Sequence, residues 1–306
     1  HAAKNKSGKK YINRASRLCF WLIQQLSCLT QLDNMRAFAP IILAACAQAV
    51  SIPNVLRPRD DLDNTWFTCP STNIETCGTE TGSNTCCFES PGGIINQAQF
   101  WDYLPSSGSS ENFTLAGIYP YACNGTAQEY CDELLFINSS SPGWIVGTEY
   151  GDTITLEDME TYWKNNKGSD EELWAEDFNK HGTCIRTNRP SCWGENFMTD
   201  EHIYTYYQIA LNLYHEYPTF QFLSDAGIVP SLTTTYTSAQ ISEALSSNND
   251  GHSVYYRCDD TDALVEVGYF HHFIGPLVVL DYVKIDSLFK TNCPSTGIRF
   301  VPKYQL

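Results

Sequence analysis

Ten cysteines lie between Cys69 and Cys293: Cys69, Cys77, Cys86, Cys87, Cys123, Cys131, Cys184, Cys192, Cys258 and Cys293. An even set spread over one domain's length reads as five disulfides in an oxidising compartment. Zinc is the weaker reading. No C-x2-C pair occurs, and the adjacent Cys86-Cys87 suits two divergent cross-links better than one tetrahedral ion. No metal or cofactor is expected. Three upstream cysteines (Cys19, Cys28 and Cys46) bring the total to 13.

The upstream residues read differently from the rest. Residues 1–34 carry Lys4, Lys6, Lys9, Lys10, Arg14 and Arg17 against Asp33 alone. Met35-Arg36 then precedes the apolar run Ile41 to Cys46, which ends in Ala47-Gln48-Ala49. A methionine, one positive charge, a short apolar run and a small-x-small site form a secretory signal. Residues 35–49 are therefore expected to be a signal peptide, with residues 1–34 a leader upstream of the true start. The alternative for 1–34 is a genuine basic extension whose apolar patch is interrupted by Gln24-Gln25. Residues 50–306 would form the mature domain. Its balance falls from 19 basic and 35 acidic residues to 12 and 34, a net of −22.

Such a surface disfavours holding long nucleic acid by nonspecific phosphate neutralisation, but not a small nucleotide pocket. No apolar run reaches the ~20 residues a membrane span needs. The sequons at Asn112, Asn124 and Asn138 fit secretion, to the extracellular space or a vacuolar lumen.

Helices are expected at Leu156–Asn165, Asp170–His181, Thr199–Tyr217 (capped by Thr199 or Asp200) and Thr237–Ser246, with a short one near Asn96–Tyr103. Strands are expected at Phe113–Ile118, Ser253–Cys258, Ala263–Phe270 and along Leu277–Ile285. Helices in the middle and strands toward both ends argue one α+β domain, not βαβ repeats.

The chemistry-bearing stretch is Glu176-Asp177-Phe178-Asn179-Lys180-His181-Gly182-Thr183-Cys184. Glu176 and Lys180 stand at i, i+4, as do Asp177 and His181. A carboxylate can orient an imidazole, and a lysine can neutralise a phosphate oxygen. An i, i+4 Glu–Lys pair is also an ordinary solvated helix pair.

This stretch resembles the H-E-W-x-K-H-G-T-C motif of the ribonuclease T2 family of secreted acid endoribonucleases. Asn179 to Cys184 is intact. The family's other motif, H-G-L-W-P, resembles Ala116-Gly117-Ile118-Tyr119-Pro120. Cys86-Cys87-Phe88-Glu89-Ser90-Pro91 through Gln99-Phe100-Trp101-Asp102 resembles the fungal branch. The resemblance covers about Cys69 to Lys303. It implies an antiparallel sheet packed with several helices, and the pairs Cys69–Cys87, Cys77–Cys123, Cys86–Cys192, Cys131–Cys184 and Cys258–Cys293. It also implies substrate contacts from Tyr119, Tyr121, Gln99 and Phe178.

The departures bear on activity. The family cleaves RNA by attack of a ribose 2′-OH on phosphate, giving a 2′,3′-cyclic phosphate. His181 matches its base and Lys180 its lysine. Its acid position holds Ala116, and a methyl group donates no proton; losing a positioned acid costs about 10²–10⁴-fold. Glu176 replaces the phosphate-binding histidine with an anion. Asp177 replaces its glutamate, Tyr119 its base-stacking tryptophan, and Tyr121 an aspartate.

Three readings follow. One is a pseudoenzyme that still binds single-stranded RNA or nucleotides weakly. A second is a slow endoribonuclease using a Glu176/His181 acid–base pair. The third is a secreted structural or host-interacting protein with an unknown protein partner. A monomer free of membrane after signal cleavage is expected in each.

Overall fold

A computed structural model of the chain describes residue 69 and residues 74–78, 84–105, 107–166, 168–194 and 197–304. The expected leader and signal peptide, 1–34 and 35–49, lie outside the described residues. The described part belongs to one compact unit, Val55–Leu306.

The fold is α+β, as expected. Strands β1 (Ile94–Phe100), β2 (Thr114–Tyr121), β4 (Tyr255–Cys258), β5 (Leu264–Phe273) and β6 (Tyr282–Ile285) form an antiparallel sheet ordered β2-β1-β5-β4, with β6 also paired to β5. β4 pairs with the first half of β5 and β6 with the second, while β1 occupies the opposite edge. A small separate ladder joins β3 (Thr235–Tyr236) to β7 (Ile298–Arg299).

The helices are α1 (Ser141–Trp144, running into a wide turn over Ile145–Glu149), α2 (Thr153–Tyr162), α3 (Asp170–Lys180), α4 (Glu201–Glu216), α5 (Thr219–Asp225) and α6 (Ser238–Ser246). Alternate strand positions face them and fill two buried clusters. Ile95, Leu115, Ile118 and Phe273 pack with Trp174 and Phe178 of α3 and with α4. Trp101, Phe113, Val267 and Tyr269 pack with Leu223 of α5, Ile241 and Leu245 of α6, and Phe300. The apolar side of α4 is buried as its spacing requires. Its tyrosines stay in the core because each hydroxyl finds an acceptor: Tyr206 bonds Asp177, Tyr207 the Trp174 carbonyl at 3.0 Å, and Tyr214 the Phe113 carbonyl at 2.6 Å.

Several expectations are corrected. Asn96–Tyr103 is not a helix: its first half is in β1. That strand is flanked by β2 and β5 and buried on both faces, so Asn96, Gln97 and Gln99 interrupt the apolar pattern that marks a strand. Leu277–Ile285 is not one strand. After a 3₁₀ turn at Leu277–Val279, Leu280 turns left-handed and β6 begins only at Tyr282. Asp200 precedes α4 but makes no side-chain cap, because its own backbone is left-handed (φ 58°). Thr237 instead caps α6 in a complete capping box with Gln240. Helix α5, absent from the sequence reading, follows α4 after only Tyr217 and Pro218.

All five implied disulfides are formed. Cys86–Cys192 spans 106 residues and ties the segment before β1 to the segment after the site helix. Glu89 holds the same junction. Its buried carboxylate accepts from the Arg186 and Thr187 amides, each at 2.9 Å, and from the Thr187 hydroxyl at 2.8 Å. Loop-closure entropy assigns a cross-link of that span about 5 kcal/mol. Replacing Cys86 and Cys192 together with alanine is expected to lower unfolding free energy by up to about that amount. Urea denaturation checks it; an unchanged midpoint would refute a structural role for this cross-link.

Candidate functional site

The site forms where the C-terminal end of α3 meets edge strand β2. The strand carries a bulge there: Leu115 pairs with Gln99 and Gly117 with Ala98, leaving Ala116 as the extra residue. Gly117 adopts φ +137° and lies directly under the Asp177 carboxylate, where any Cβ would overlap it. Asp177 is buried and accepts a hydrogen bond from the Tyr206 hydroxyl. Burial raises its carboxyl well above the ordinary range; Tyr206 and Lys180 pull the other way but do not win. Asp177 thus favours its neutral form and orients no imidazole by charge.

His181 follows one turn later and is 7% exposed. Its ring stacks on Tyr119, with centroids 4.2 Å apart and an interplanar angle of 29°. The ring's backbone partner is Gln128, and Nδ1 is buried without a partner. Burial first, and Lys180 second, lower its pKa to about 3. The expected Asp177–His181 orientation is therefore corrected: the two meet through the backbone, His181 N–H donating to the Asp177 carbonyl at 2.8 Å.

The Tyr119 hydroxyl donates to the Ala116 carbonyl at 3.3 Å, so the phenol reaches from the imidazole to the strand backbone. Burial raises the Tyr119 pKa well above its usual value, making it a poorer acid than a free phenol. Ala116 itself is 3% exposed.

The charged residues are also rearranged. Lys180 pairs with Glu129 at 3.3 Å, and Glu176 accepts from the Tyr130 hydroxyl, in place of the expected Glu176–Lys180 pair. Glu129 and Tyr130 were missed because they lie far from the motif in sequence; a Tyr130 N–H bond to the Lys180 carbonyl (2.8 Å) brings them there.

Of the expected substrate contacts, Tyr119 and Tyr121 lie on the sheet face turned away from the helical cores. Tyr121 meets Phe270 (5.9 Å) and Phe289 (5.5 Å), and Phe289 meets Tyr255 (6.0 Å). Asn96 sits in register between Tyr119 and Phe270, buried, with its Oδ1 unpartnered. Alternation within β5 was the available signal for Phe270. Gln99 and Phe178 are corrected as substrate contacts. Gln99 is fully buried on the helical side, donating to the Tyr217 carbonyl (2.9 Å) and Gln97 Oε1 (3.0 Å). Phe178 is a core ring set edge-on to Tyr206 at 5.4 Å.

An antiparallel sheet with helices on one face, five disulfides and a Lys-His pair at a helix end against a bulged edge strand make up a ribonuclease type of scaffold. The chain belongs to the ribonuclease T2 family, whose pattern it matches over residues 83–289. It is 44% identical over 237 residues to a ribonuclease T2-like protein of Debaryomyces hansenii, covering 77% of this chain and 58% of that one. It is 36% identical to ribonuclease T2 of Aspergillus oryzae, covering 77% of this chain and 84% of that one. The crystal structure of Actibind, described as a T2 ribonuclease, superposes with a TM-score of 0.73 at 37% identity, covering 79% of this chain and all of that one. The chain thus spans about three fifths of the length of the yeast relatives it matches.

Two outcomes follow from the buried pair. A carboxyl whose native pKa lies above its unfolded value adds stability when protonated, and that stability is lost as pH rises from about 3.8 through the native value. Asp177→Asn, permanently neutral, is expected to raise the melting temperature at pH 7 and to have little effect at pH 3. Equal effects at both pH values would refute a neutral Asp177. His181 has the opposite slope, its depressed pKa removing stability as pH falls from about 6.5 toward about 3. Its ring resonances are expected to stay those of neutral imidazole down to about pH 4 by NMR. Titration near 6.5 would mean an exposed ring.

Proposed function

We propose that this protein is a secreted ribonuclease T2-fold pseudoenzyme that binds nucleotides or short single-stranded RNA without cleaving it efficiently. The observation that carries this reading is the arrangement of Ala116, Tyr119 and His181. Transphosphorylation needs a base on the 2′-OH and an acid on the departing 5′-oxygen. The strand position expected to carry the acid holds a methyl group. The neighbouring phenol has a raised pKa, donates to a backbone carbonyl and stacks over the only motif histidine that remains. His181, with a pKa near 3, is a weak base. Lys180 is partly neutralised by Glu129, and the exposed Glu176 adds a negative charge where a phosphodiester would approach.

Binding is a separate capacity. Half-buried Tyr121 and exposed Phe289, packed over the buried Phe270, offer ring faces for stacking, worth about 1–3 kcal/mol per base where fully used. The chain's net charge of −16 opposes a long polyanion and leaves a short one as the fitting ligand. Secretion and glycans on Asn112, Asn124 and Asn138 belong to the same proposal. Among the described residues no helix is long and apolar enough to cross a membrane.

The full chain assayed on polymeric RNA from pH 4 to 8 is expected to turn over at least about 100-fold more slowly than an active family member. His181→Ala should leave the residual rate unchanged, while nucleotide binding persists by calorimetry. Turnover abolished by His181→Ala would instead establish a working Glu176/His181 pair. Ala116→His with Glu176→His is expected to recover part of the activity.

A further inference from the structure

We infer that the loop running from Gln128 to Ser140 is a docking surface for a basic, apolar-containing segment of a partner protein. Three large apolar side chains stand out from this short loop: Leu134 is 95% exposed, Tyr130 46% and Phe136 40%. Isolated exposed apolar residues are ordinary. These are not isolated, since Tyr130 and Phe136 meet edge-on at 6.0 Å and Leu134 lies between them in sequence.

The loop is also held rigidly. Cys131–Cys184 joins it to the end of the site helix. Asn179 clamps Ile137 twice: Ile137 N–H donates to Asn179 Oδ1, and Asn179 Nδ2 donates to the Ile137 carbonyl, both at 2.8 Å. Tyr130 N–H bonds the Lys180 carbonyl at 2.8 Å, and Cys131 N–H the Thr183 hydroxyl at 3.2 Å. A 3₁₀ turn over Glu133–Leu135, capped by Asp132, presents Leu134 at its centre. A loop fixed by a disulfide and these bonds does not need to leave Leu134 in water to satisfy its own backbone. Pre-organised apolar anchors are what a binding surface needs, because little ordering entropy remains to be lost on contact.

Charge selects the partner. The surrounding acids are Glu129, Asp132, Glu133 and Glu176. Lys180 pairs with Glu129, and Arg189 with Asp132 at 3.7 Å. Glu133 and Glu176 remain as net negative charge beside the apolar tip, on a chain of net charge −16. Lysine or arginine flanking a leucine or aromatic residue complements this surface, whereas a nucleic acid or an anionic membrane is repelled by it. The inference stands whether or not RNA turnover survives, because it rests on Tyr130, Leu134 and Phe136, none of which is assigned a part in proton transfer.

The test uses the full chain, enzymatically deglycosylated because the sequon Asn138 lies within the loop. Fluorescent peptides of alternating arginine and leucine are titrated against it by anisotropy, beside glutamate–leucine peptides and a single-stranded oligonucleotide. The basic peptide is expected to bind, with affinity falling at higher salt. Leu134→Ser and Glu133→Lys should each weaken it about tenfold or more. Both positions are exposed, so folding is preserved, and circular dichroism verifies that. Equal binding of acidic and basic peptides, wild-type affinity in both variants, or stronger capture of the oligonucleotide through this loop would overturn the inference. So would sedimentation showing a dimer that Leu134→Ser dissolves, since the surface would then pair two copies of this chain.

Discussion

The contact between the Asp177 carboxylate and the bare backbone of Gly117 sets the geometry of the whole site. Only a residue without a Cβ lets α3 approach the edge strand this closely. The approach is possible because β2 bulges at Ala116, and it is secured by Tyr206 reaching from α4 to Asp177. Three elements are thereby locked: the strand, the site helix and the long helix behind it. His181, one turn beyond Asp177, has no other place to go than against Tyr119. The site's chemistry is thus a consequence of a packing decision made one turn earlier.

That packing also explains the protonation pattern. Desolvation dominates the shifts at Asp177, His181 and Tyr119, outweighing the hydrogen bonds and charges around them. Each group is pushed toward its neutral form. A cluster of neutral groups in close contact is cheap to bury and stabilises the fold. A phosphoryl-transfer site needs the reverse, with fixed charge held ready for the transition state. On the pseudoenzyme proposal, Ala116 and Glu176 stand where two cationic groups would be needed; in the structure Tyr119 lies against the His181 imidazole.

Much of the fold was legible in the sequence where a single physical signal dominated. The apolar stripe of α4, the boundaries of α3 and the five cysteine pairs all correspond to strong local or motif signals. Reading failed where tertiary context overrode the pattern. β1 carries three amide side chains in a strand buried on both faces, where Gln97 and Gln99 bond each other and Gln99 bonds the Tyr217 carbonyl while Asn96 Oδ1 stays unpartnered, and no window of sequence shows that. The 3₁₀ turn within Leu277–Ile285 is concealed by a run of β-branched and aromatic residues. At the site, His181, Lys180 and Ala116 were identifiable from motif position. Their surroundings were not: Glu129 and Tyr130 come from one loop, Asn96 from β1 and Tyr206 from α4. Gln99 and Phe178 look like ligand contacts when placed by motif alone, yet the pleat turns one inward and the helical stripe buries the other.

The same clamp that seats the site helix also fixes what lies outside it. Cys131–Cys184 and the Asn179–Ile137 bonds attach residues 128–140 to the helix end carrying Lys180 and His181. In a working ribonuclease this attachment would serve the cleft, since Gln128 bonds the imidazole from this loop. The rigidity of the loop does not depend on proton transfer, and it gives a fixed display of Tyr130, Leu134 and Phe136. A scaffold built to hold catalytic groups within a fraction of an ångström is equally able to hold a recognition surface. The cross-links that keep that surface in place are indifferent to whether the site turns over RNA.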